Sequence, residues 1–484
     1  MSIVEASDQQ GQTIPQTSLP ERAVGGSGSV GDFLGVRRAA WLATALAVVI
    51  SIFVSFKLPW YFDLHGWLMP GDISWMTRSA QWVDSGAMGS VYAANHWYLT
   101  LPGYLFLLAP VVQVGDMLHL ANNYPFPIPH PTMWLLTGPF TALCCAAVIP
   151  ATDRLAAALS VPKLRRDILA VAVAVLVAVP TTIFSGHGED MLALAGVELA
   201  TVAAVGGHWS RVGWILALAV LFQEWALLAV PVLVAASPQG QKIKTAWHAL
   251  LPGASLGMLL LALDWKNAYF DLIVQPAVFK GQKLVWWQWA KVVAIPGTSV
   301  FGVTGSTFRT CAVAVAVVAG IVVWKNPTPT RIAAAVAVAL FARGFFEVEL
   351  WPYYLAPAAV MIVLLAGRAP AKRAAVAAAA AFGAYAVSNS AYVGVSTNPW
   401  LATAVLAACA AMAYGALAAP GALRPEALRA AVLRLGALLL AALRLSDRPS
   451  LNFVESFKHL KSRYSAHDFE SDRPVEDEGQ VAFD

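Results

Sequence analysis

The sequence predicts an all-α, polytopic integral membrane protein, and composition is the main reason. Of the 484 residues, 58% are hydrophobic and only 12% are Asp, Glu, Lys or Arg, whereas a soluble protein carries about 25% charged residues. The mean hydropathy is +0.63, so there are too few charges to cover a soluble surface. All four cysteines lie within apolar runs, which argues against a disulfide framework or a thiolate metal site. The length is therefore used for many membrane spans rather than for several soluble cores.

Apolar stretches recur along the chain at lengths suited to membrane helices. They lie at roughly Ala39–Leu58, Leu99–Leu118, Met133–Pro150, Ile168–Phe184, Met191–Val205, Val212–Ala235, Leu250–Leu263, Cys311–Trp324, Ile332–Phe346, Tyr354–Ala366, Ala374–Ser388 and Leu401–Ala419. Several are shorter than the about 20 residues that a span usually needs, so we expect about 10 to 13 transmembrane or re-entrant helices. Leu99–Leu118 is predicted to be a re-entrant or surface helix on the outer side. Val212–Ala235 is predicted to be two short helices that meet near Gln223-Glu224.

The chain divides into one membrane domain and polar ends. Residues 37–420 form the predicted multi-span domain. Residues 1–36, rich in Gly, Ser and Gln, indicate a disordered cytoplasmic tail. Residues 421–448 predict a basic amphipathic helix on the inner membrane surface, and residues 449–484 predict a second disordered cytoplasmic tail.

Basic clusters set the expected orientation in the plasma membrane. They occur at Arg37-Arg38, Lys163/Arg165/Arg166, Lys242/Lys244, Lys325/Arg331, Arg368/Lys372/Arg373 and Arg424 through Arg448. The positive-inside rule places these clusters, and both termini, in the cytoplasm. Acids, histidines and tryptophans gather in the segments left outside, chiefly residues 59–132 and 264–309. The net charge of +4 is small, and we attribute it to the basic clusters that set this orientation. We therefore expect membrane lipids as partners and no nucleic acid.

The strongest local signal is the segment that begins Gly71-Asp72. Asp72 is placed to cap a helix, because its carboxylate can accept hydrogen bonds from free backbone N–H groups one turn on. Apolar residues then recur at helical spacing, which predicts an amphipathic helix at the outer interface, ended by Ser85-Gly86. Asp72 is either a helix cap and nothing more, or a functional carboxylate.

This segment resembles the first outer loop of GT-C type glycosyltransferases. The shared features are Gly71-Asp72, a nearby aromatic residue, small residues, a Gly-containing turn and a Tyr. The chain is most similar to the actinobacterial family 87, whose members use polyprenyl-phosphate sugars and include mannosyltransferases. Further matching pieces are Tyr98–Pro102, Gly213 to Glu224, and Tyr353-Tyr354 with Pro357. The chain departs from the family pattern at Met76, where a Tyr is typical, and at Gln223-Glu224, where a Lys is usual.

The resemblance implies that Asp72 is the catalytic base of an inverting sugar transfer. A lipid phosphate leaves with little acid assistance, whereas an acceptor hydroxyl gains from a carboxylate that takes its proton. Asp63 is the rival base. The expected donor is a polyprenyl-phosphate sugar, with mannose first and arabinose second, and the expected acceptor is a lipid-linked or cell-envelope glycan. A transporter or flippase of an envelope precursor is the alternative, and a non-catalytic assembly partner is a third possibility.

Candidate substrate-binding residues lie in two short outer turns and one long outer segment. They are His187, Glu189, Asp190, Arg343, Glu347, Glu349, Tyr353, Tyr354, Lys280 and Lys283. Each has a structural alternative. The turn with His187 can be a capped connection between helices, the lysines can contact lipid headgroups, and Arg343 can pair with Glu347 one helical turn on. Arg343 and the lysines would otherwise pair with a donor phosphate.

No metal and no cofactor are predicted. His187 and the acids near it are residue types that bind metal, but the sequence contains no His-x-x-x-His or similar ligand spacing. Deprotonation of a hydroxyl by a carboxylate does not require a metal ion.

Overall fold

A computed structural model describes residues 37–61, 69–93, 100–121, 131–269, 272, 305–346, 352–392 and 412. Within these residues every regular element is a helix, which confirms the all-α prediction. The α-helices are α1 Arg38–Tyr61, α2 Gly71–Asp84, α3 Ser90–Ala93, α4 Gly103–Met117, α5 Trp134–Ala146, α6 Val148–Ala158, α7 Lys163–Val173, α8 Gly188–Val205, α9 Trp209–Phe222, α10 Ala229–Ala236, α11 Lys242–Tyr269, α12 Gly305–Trp324, α13 Pro329–Phe346, α14 Ala356–Ala366 and α15 Ala371–Tyr392. Short π-helical turns at Ala174–Ala178 and Thr181–Ser185 continue α7, and 3₁₀ turns occupy Glu224–Leu228, Gln239–Gln241 and Pro352–Tyr354.

Four helical segments of the described chain are long and apolar enough to cross a membrane. They are Arg38–Lys57, Trp134–Ala158, Lys163–Ser185 and Gln239–Tyr269. Five shorter apolar helices accompany them, at Gly103–Met117, Trp209–Phe222, Glu224–Ala236, Ala312–Trp324 and Ala356–Ala366. Leu42, Leu46, Val49 and Phe53 of α1 are all exposed, as side chains facing lipid would be. The chain is thus an all-α protein with several helices suited to a bilayer.

Helix α8 lies at the centre of the bundle. It packs against α5, α6 and α9, and it also contacts α10 and α13. Most of its side chains are buried, including the three acids Glu189, Asp190 and Glu198. Small residues permit this packing: a Cβ on Gly196 would lie 2.8 Å from the Cβ of Ala219 on α9. The central helix therefore carries its charged N-terminus into the bundle.

The predicted break between two short helices is confirmed. Gln223 adopts an extended conformation (φ −156°, ψ 123°) that ends α9, and a 3₁₀ turn over Glu224–Leu228 leads into α10. Because α9 has 14 residues, it is about 21 Å long and shorter than the hydrocarbon core. The break places Trp225 beside the N-terminus of α8, where its indole N–H donates a hydrogen bond to Asp190.

An ion-pair network ties together the basic ends of α1 and α7. Arg166 donates two hydrogen bonds to the carboxylate of Asp153, at 2.8 and 2.7 Å. Arg37 lies 2.9 Å from Asp167 and 3.9 Å from Asp153. Arg165 donates to the backbone carbonyls of Gly367 and Ala369 at the end of α14. These charges mark one end of the Lys163–Ser185 segment.

Several predictions fall outside the described residues. They concern residues 1–36, the segments 421–448 and 449–484, and the larger part of the outer segment 264–309. Helix α4 covers the stretch predicted as a re-entrant or surface helix, and it packs against α2 and α5. Its position relative to a membrane stays a prediction.

Candidate functional site

The N-terminus of α2 presents Asp72 at the surface. The helix starts at Gly71 after Pro70, and no side chain caps its first turn. The prediction that Asp72 caps the helix is therefore wrong: its carboxylate turns to another part of the chain. The side chain remains 52% exposed, so one face of the carboxylate is open to a substrate.

A glycine turn brings α8 to this helix. Gly186 has a left-handed backbone (φ +71°) and ends the π-turn, and its N–H donates to the carbonyl of Thr181 at 2.8 Å. A Cβ at Gly186 would lie 3.0 Å from the Cβ of Ile73 and 3.2 Å from the Cβ of Pro70. The absence of a side chain at this position thus permits close contact between the turn and the start of α2.

A second glycine, Gly188, allows the start of α8 to pack closely against the bundle. A Cβ at Gly188 would lie 2.8 Å from the hydroxyl oxygen of Tyr104 and 3.0 Å from the Cβ of Cys144. The next two residues, Glu189 and Asp190, are fully buried. Gly186 and Gly188 together position His187 between the exposed Asp72 and these buried acids.

His187 joins carboxylates on both of its ring nitrogens. Its Nε2 lies 2.9 Å from Oδ2 of Asp72. Its Nδ1 makes a short contact with Oε1 of Glu189 and lies 3.6 Å from Oδ2 of Asp190. Exposure falls along this row, from 52% for the Asp72 side chain to 10% for His187 and 0% for Glu189. The row leads from solvent into the bundle.

Asp190 binds two donors through one of its oxygens. Trp225 Nε1 donates to Oδ1 at 2.5 Å, and Arg343 Nη1 donates to the same oxygen at 3.2 Å. Among the described residues, Oδ2 of Asp190 and Oε2 of Glu189 have no hydrogen-bond donor although both are buried. Two buried carboxylate oxygens are therefore available to a further ligand.

Aromatic rings enclose the charged groups. The ring of Tyr353 lies 3.8 Å from the imidazole of His187, centroid to centroid. The guanidinium carbon of Arg343 lies 4.1 Å from the ring centroid of Tyr354 and 5.2 Å from that of Trp225. These contacts orient the imidazole and the guanidinium, and they remove both from bulk water.

Electrostatics at His187 favour its charged form. Burial by itself lowers the pKa of an imidazole, but the neighbouring Glu189 and Asp72 carboxylates outweigh burial and raise the pKa of His187 well above its ordinary value. Burial also raises the pKa of Tyr353, with the hydroxyl of Tyr354 and the carboxylate of Asp72 adding to the shift. Tyr353 therefore stays a neutral phenol, able to act only as a neutral hydrogen-bonding group.

Seven predicted site residues converge. Asp72, His187, Glu189, Asp190, Arg343, Tyr353 and Tyr354 come from four separate parts of the sequence and meet in one cluster. The other candidates, Asp63, Glu347, Glu349, Lys280 and Lys283, lie outside the residues whose side chains are described. Arg343 pairs with Asp190, a partner that the sequence analysis did not consider.

Sequence patterns alone did not indicate that Trp225 and Tyr104 belong to the site. Trp225 directly follows the predicted break at Gln223-Glu224, which was the available signal, since a helix break inside a bundle exposes polar atoms. Tyr104 lies in an apolar run, and its buried hydroxyl near Gly188 had no sequence signal.

The cluster also contains a group of metal-ligand type. One ligand atom from each of His187, Glu189 and Asp190 lies within 4.8 Å of the others, and all three residues are buried. The prediction that the protein holds no metal rested on sequence spacing, and it stays untested.

No known protein family, curated protein or solved structure matches this chain. Fold and site therefore define the class: an all-α protein with helices suited to a membrane, which gathers acids, a histidine and an arginine at one end of a candidate span.

Proposed function

We propose that the protein is a membrane glycosyltransferase that moves a sugar from a polyprenyl-phosphate donor to a lipid-linked or cell-envelope glycan acceptor. The observation that carries the proposal is the half-exposed carboxylate of Asp72, held by His187 above two buried acids, one of which pairs with Arg343. A base needs an open oxygen and a fixed position, and Asp72 has both.

The reaction is a single displacement. Asp72 takes the proton of the acceptor hydroxyl, and the hydroxyl oxygen forms a bond to the anomeric carbon of the donor sugar. The bond between that carbon and the phosphate oxygen breaks, and the lipid leaves as its monophosphate. The anomeric configuration inverts. Mannose is the first sugar proposed and arabinose the second.

Arg343 is the group proposed to face the donor phosphate. It is held by Asp190 and by the rings of Tyr354 and Trp225. A guanidinium has five N–H donors, and its contact with Asp190 involves only Nη1, so within the described contacts Arg343 retains donors for phosphate oxygens. The neighbouring rings of Tyr353 and Tyr354, 5.0 Å apart and nearly perpendicular, offer an apolar surface to a sugar face.

Charge distribution supports an active site outside the cytoplasm. The Arg37, Arg165 and Arg166 network lies at one end of the segment Lys163–Ser185, and His187 follows its other end. At 23 residues the segment is roughly 34 Å long, enough to cross a bilayer. The positive-inside rule puts the arginines in the cytoplasm. The cluster then faces the side where nucleotide sugars are absent and lipid-phosphate donors are the expected supply.

The decisive experiment is transfer of labelled mannose by purified protein. The donor is polyprenyl-phosphate mannose, the acceptor pool is a membrane lipid extract, and Asp72→Asn is assayed in parallel. Product from the wild type but not from the variant supports the proposal. If well-folded protein with intact donor gives no product with mannose and none with arabinose, the proposal is wrong.

A transporter is the second candidate, and one observation favours it. Glu198 is fully buried in the middle of α8, where the hydroxyl of Thr152 donates to both of its oxygens at 2.9 and 3.0 Å. Buried acids within a bundle and a broken helix, here at Gln223, are typical of transport paths. Movement of an envelope lipid across proteoliposomes without any sugar transfer would favour this candidate.

A further inference from the structure

The cluster around His187 has an excess of negative charge. Asp72, Glu189 and Asp190 supply three carboxylates, and Arg343 supplies one permanent positive charge. With the charged imidazole that the site favours, the described groups of the cluster sum to −1, and one of the three carboxylates, Asp72, is half exposed. A metal ion that binds the imidazole displaces its proton and leaves the groups at −2, and a divalent cation then brings the sum to zero.

Two carboxylate oxygens of the cluster are buried and have no hydrogen-bond donor among the described residues. The side chain of Asp190 has no exposed surface, its Oδ1 is occupied by Trp225 and Arg343, and its Oδ2 has no donor among the described residues. That free Oδ2 lies 3.6 Å from Nδ1 of His187. Glu189 contacts the same Nδ1 through Oε1, and its Oε2 is buried without a donor in the described chain.

These distances suit a shared cation. Ligand atoms about 2 Å from a metal ion lie roughly 3–3.5 Å from one another, and the Nδ1–Oδ2 distance of 3.6 Å is close to that value. Glu189 must move back from the imidazole, and the proton between them must leave, as occurs whenever a metal binds histidine. Turning the Glu189 carboxylate brings either of its oxygens to the ion.

The opposite nitrogen of the imidazole supplies an independent argument. A metal-bound histidine almost always donates its other ring N–H to a carboxylate or carbonyl, which fixes the ring and its tautomer. Nε2 of His187 lies 2.9 Å from the carboxylate of Asp72, and the ring of Tyr353 lies against the imidazole, tilted by 32° with the centroids 3.8 Å apart. The imidazole is thus already held with Nδ1 directed at the buried acids.

We propose that His187, Glu189 and Asp190 bind one divalent metal cation, and that Asp72 holds the imidazole from its other side. One nitrogen and two carboxylates form a ligand set suited to Mn²⁺, with Zn²⁺ the main competitor. The site is argued from its own contacts and charges and does not depend on the proposed function. That the cation joins Arg343 in binding a phosphate is a consequence that rests on the proposed function.

Binding without substrate tests the site. Purified wild-type protein in detergent is stripped with EDTA, and Mn²⁺ is titrated while the free ion is followed by electron paramagnetic resonance. Bound Zn²⁺ is measured in parallel by elemental analysis after dialysis. We expect about one ion per chain and a Tm raised by saturating metal. Glu189→Gln and His187→Asn should each weaken binding at least tenfold, and Asp72→Asn should weaken it about 10- to 100-fold, as for other outer partners of metal-bound histidines.

His208→Ala is the matched control. His208 is an exposed histidine in the turn before α9, and its loss should leave binding unchanged. Glu189→Gln preserves side-chain volume, so it keeps the test valid if His187→Asn does not fold. The proposal is overturned if folded wild-type protein binds neither ion, or if Glu189→Gln binds as tightly as wild type. Sugar transfer that persists in EDTA alongside absent binding would reject the metal site and retain the proposed transferase.

Discussion

Asp72 and His187, 115 positions apart in the chain, are joined by a 2.9 Å contact between Oδ2 and Nε2. The contact links the first turn of α2 to the turn that precedes the central helix α8. It fixes one oxygen of an otherwise exposed carboxylate and leaves the other open. This contact brings two segments that are distant in sequence together in one candidate site.

Replacement of Asp72 by Asn should abolish sugar transfer. The amide cannot take the proton of the acceptor hydroxyl, and loss of a general base lowers rates about 10²- to 10⁴-fold. Because the side chain is half exposed, the variant should fold and reach the membrane normally. The rate of labelled mannose transfer measures the effect. Asp84→Asn, at the exposed end of the same helix, is the control and should retain full activity. Transfer by Asp72→Asn near the wild-type rate would move the base to Asp63 or elsewhere.

Besides its proposed role as a metal ligand, His187 should hold Asp72 in position. Removing the imidazole frees the carboxylate to rotate, and misplacement by about 1 Å can cost 10²-fold in rate. We expect His187→Asn to lower kcat more than it changes KM for the acceptor. The double variant Asp72→Asn/His187→Asn should lose less than the product of the two single losses, since residues that share one role are not additive. Losses that multiply fully in that double-mutant cycle would show that His187 does not position Asp72.

Sequence patterns predicted the helical elements near the site more accurately than the contacts within it. Helical spacing from Ile73 onward and Ser85-Gly86 gave the extent of α2 correctly, because one buried face and a glycine stop are local properties. Gln223-Glu224 gave the break in the short helices, because polar side chains interrupt an otherwise apolar run.

Partners within the site depend on the tertiary arrangement. The sequence gives Asp72 the pattern of a helix cap, but the helix already begins at Gly71, and the glycine turn at Gly186 lets His187 approach its carboxylate. Arg343 has an acid one turn away in sequence, yet it pairs with Asp190, 153 positions distant. No spacing rule could bring His187, Glu189 and Asp190 to a common ligand distance, because neighbouring residues at the start of a helix usually point in different directions.

Removal of the Arg343 charge should destabilise the bundle. Arg343→Gln leaves the buried Asp190 with Trp225 as its remaining donor among the described contacts, and an uncompensated buried charge costs about 3–5 kcal/mol. Thermal unfolding in detergent should show a clear fall in Tm. Arg331→Gln, an exposed arginine at the start of the same helix α13, should leave Tm nearly unchanged. Adding Asp190→Asn to Arg343→Gln should restore part of the loss. A Tm equal to wild type in the single variant would contradict the buried pair.

The ion pairs at the opposite end of the bundle should differ in strength. Asp153 has a side-chain exposure of 3% and receives two hydrogen bonds from Arg166, whereas Asp167 is 34% exposed and pairs with Arg37. Asp153→Asn should lower stability by about 3 kcal/mol. Asp167→Asn should change it by less than about 1 kcal/mol, because exposed pairs contribute little. Thermal unfolding of the two variants under the same conditions measures both losses of stability. Equal losses would show that burial of Asp153 does not strengthen its ion pair.

An alanine at Gly186 would have two effects: its Cβ would contact α2, and its left-handed backbone would be strained. A comparison with Gly207 separates these two effects. Gly186 and Gly207 both have left-handed backbones, with φ of +71° and +75°, so alanine at either should cost about 1–2 kcal/mol. A Cβ at Gly207 meets nothing within 4 Å, whereas a Cβ at Gly186 meets Ile73 and Pro70. Gly186→Ala should therefore push the start of α2 away from the turn and lengthen the contact between Asp72 and His187.

In thermal unfolding Gly186→Ala should lose more stability than Gly207→Ala, because it adds a close contact to the same backbone strain, and only Gly186→Ala should lose transfer, by about tenfold or more. If Gly207→Ala lost activity equally, general strain would explain both results. If Gly186→Ala remained fully active, Asp72 would not depend on the turn for its position.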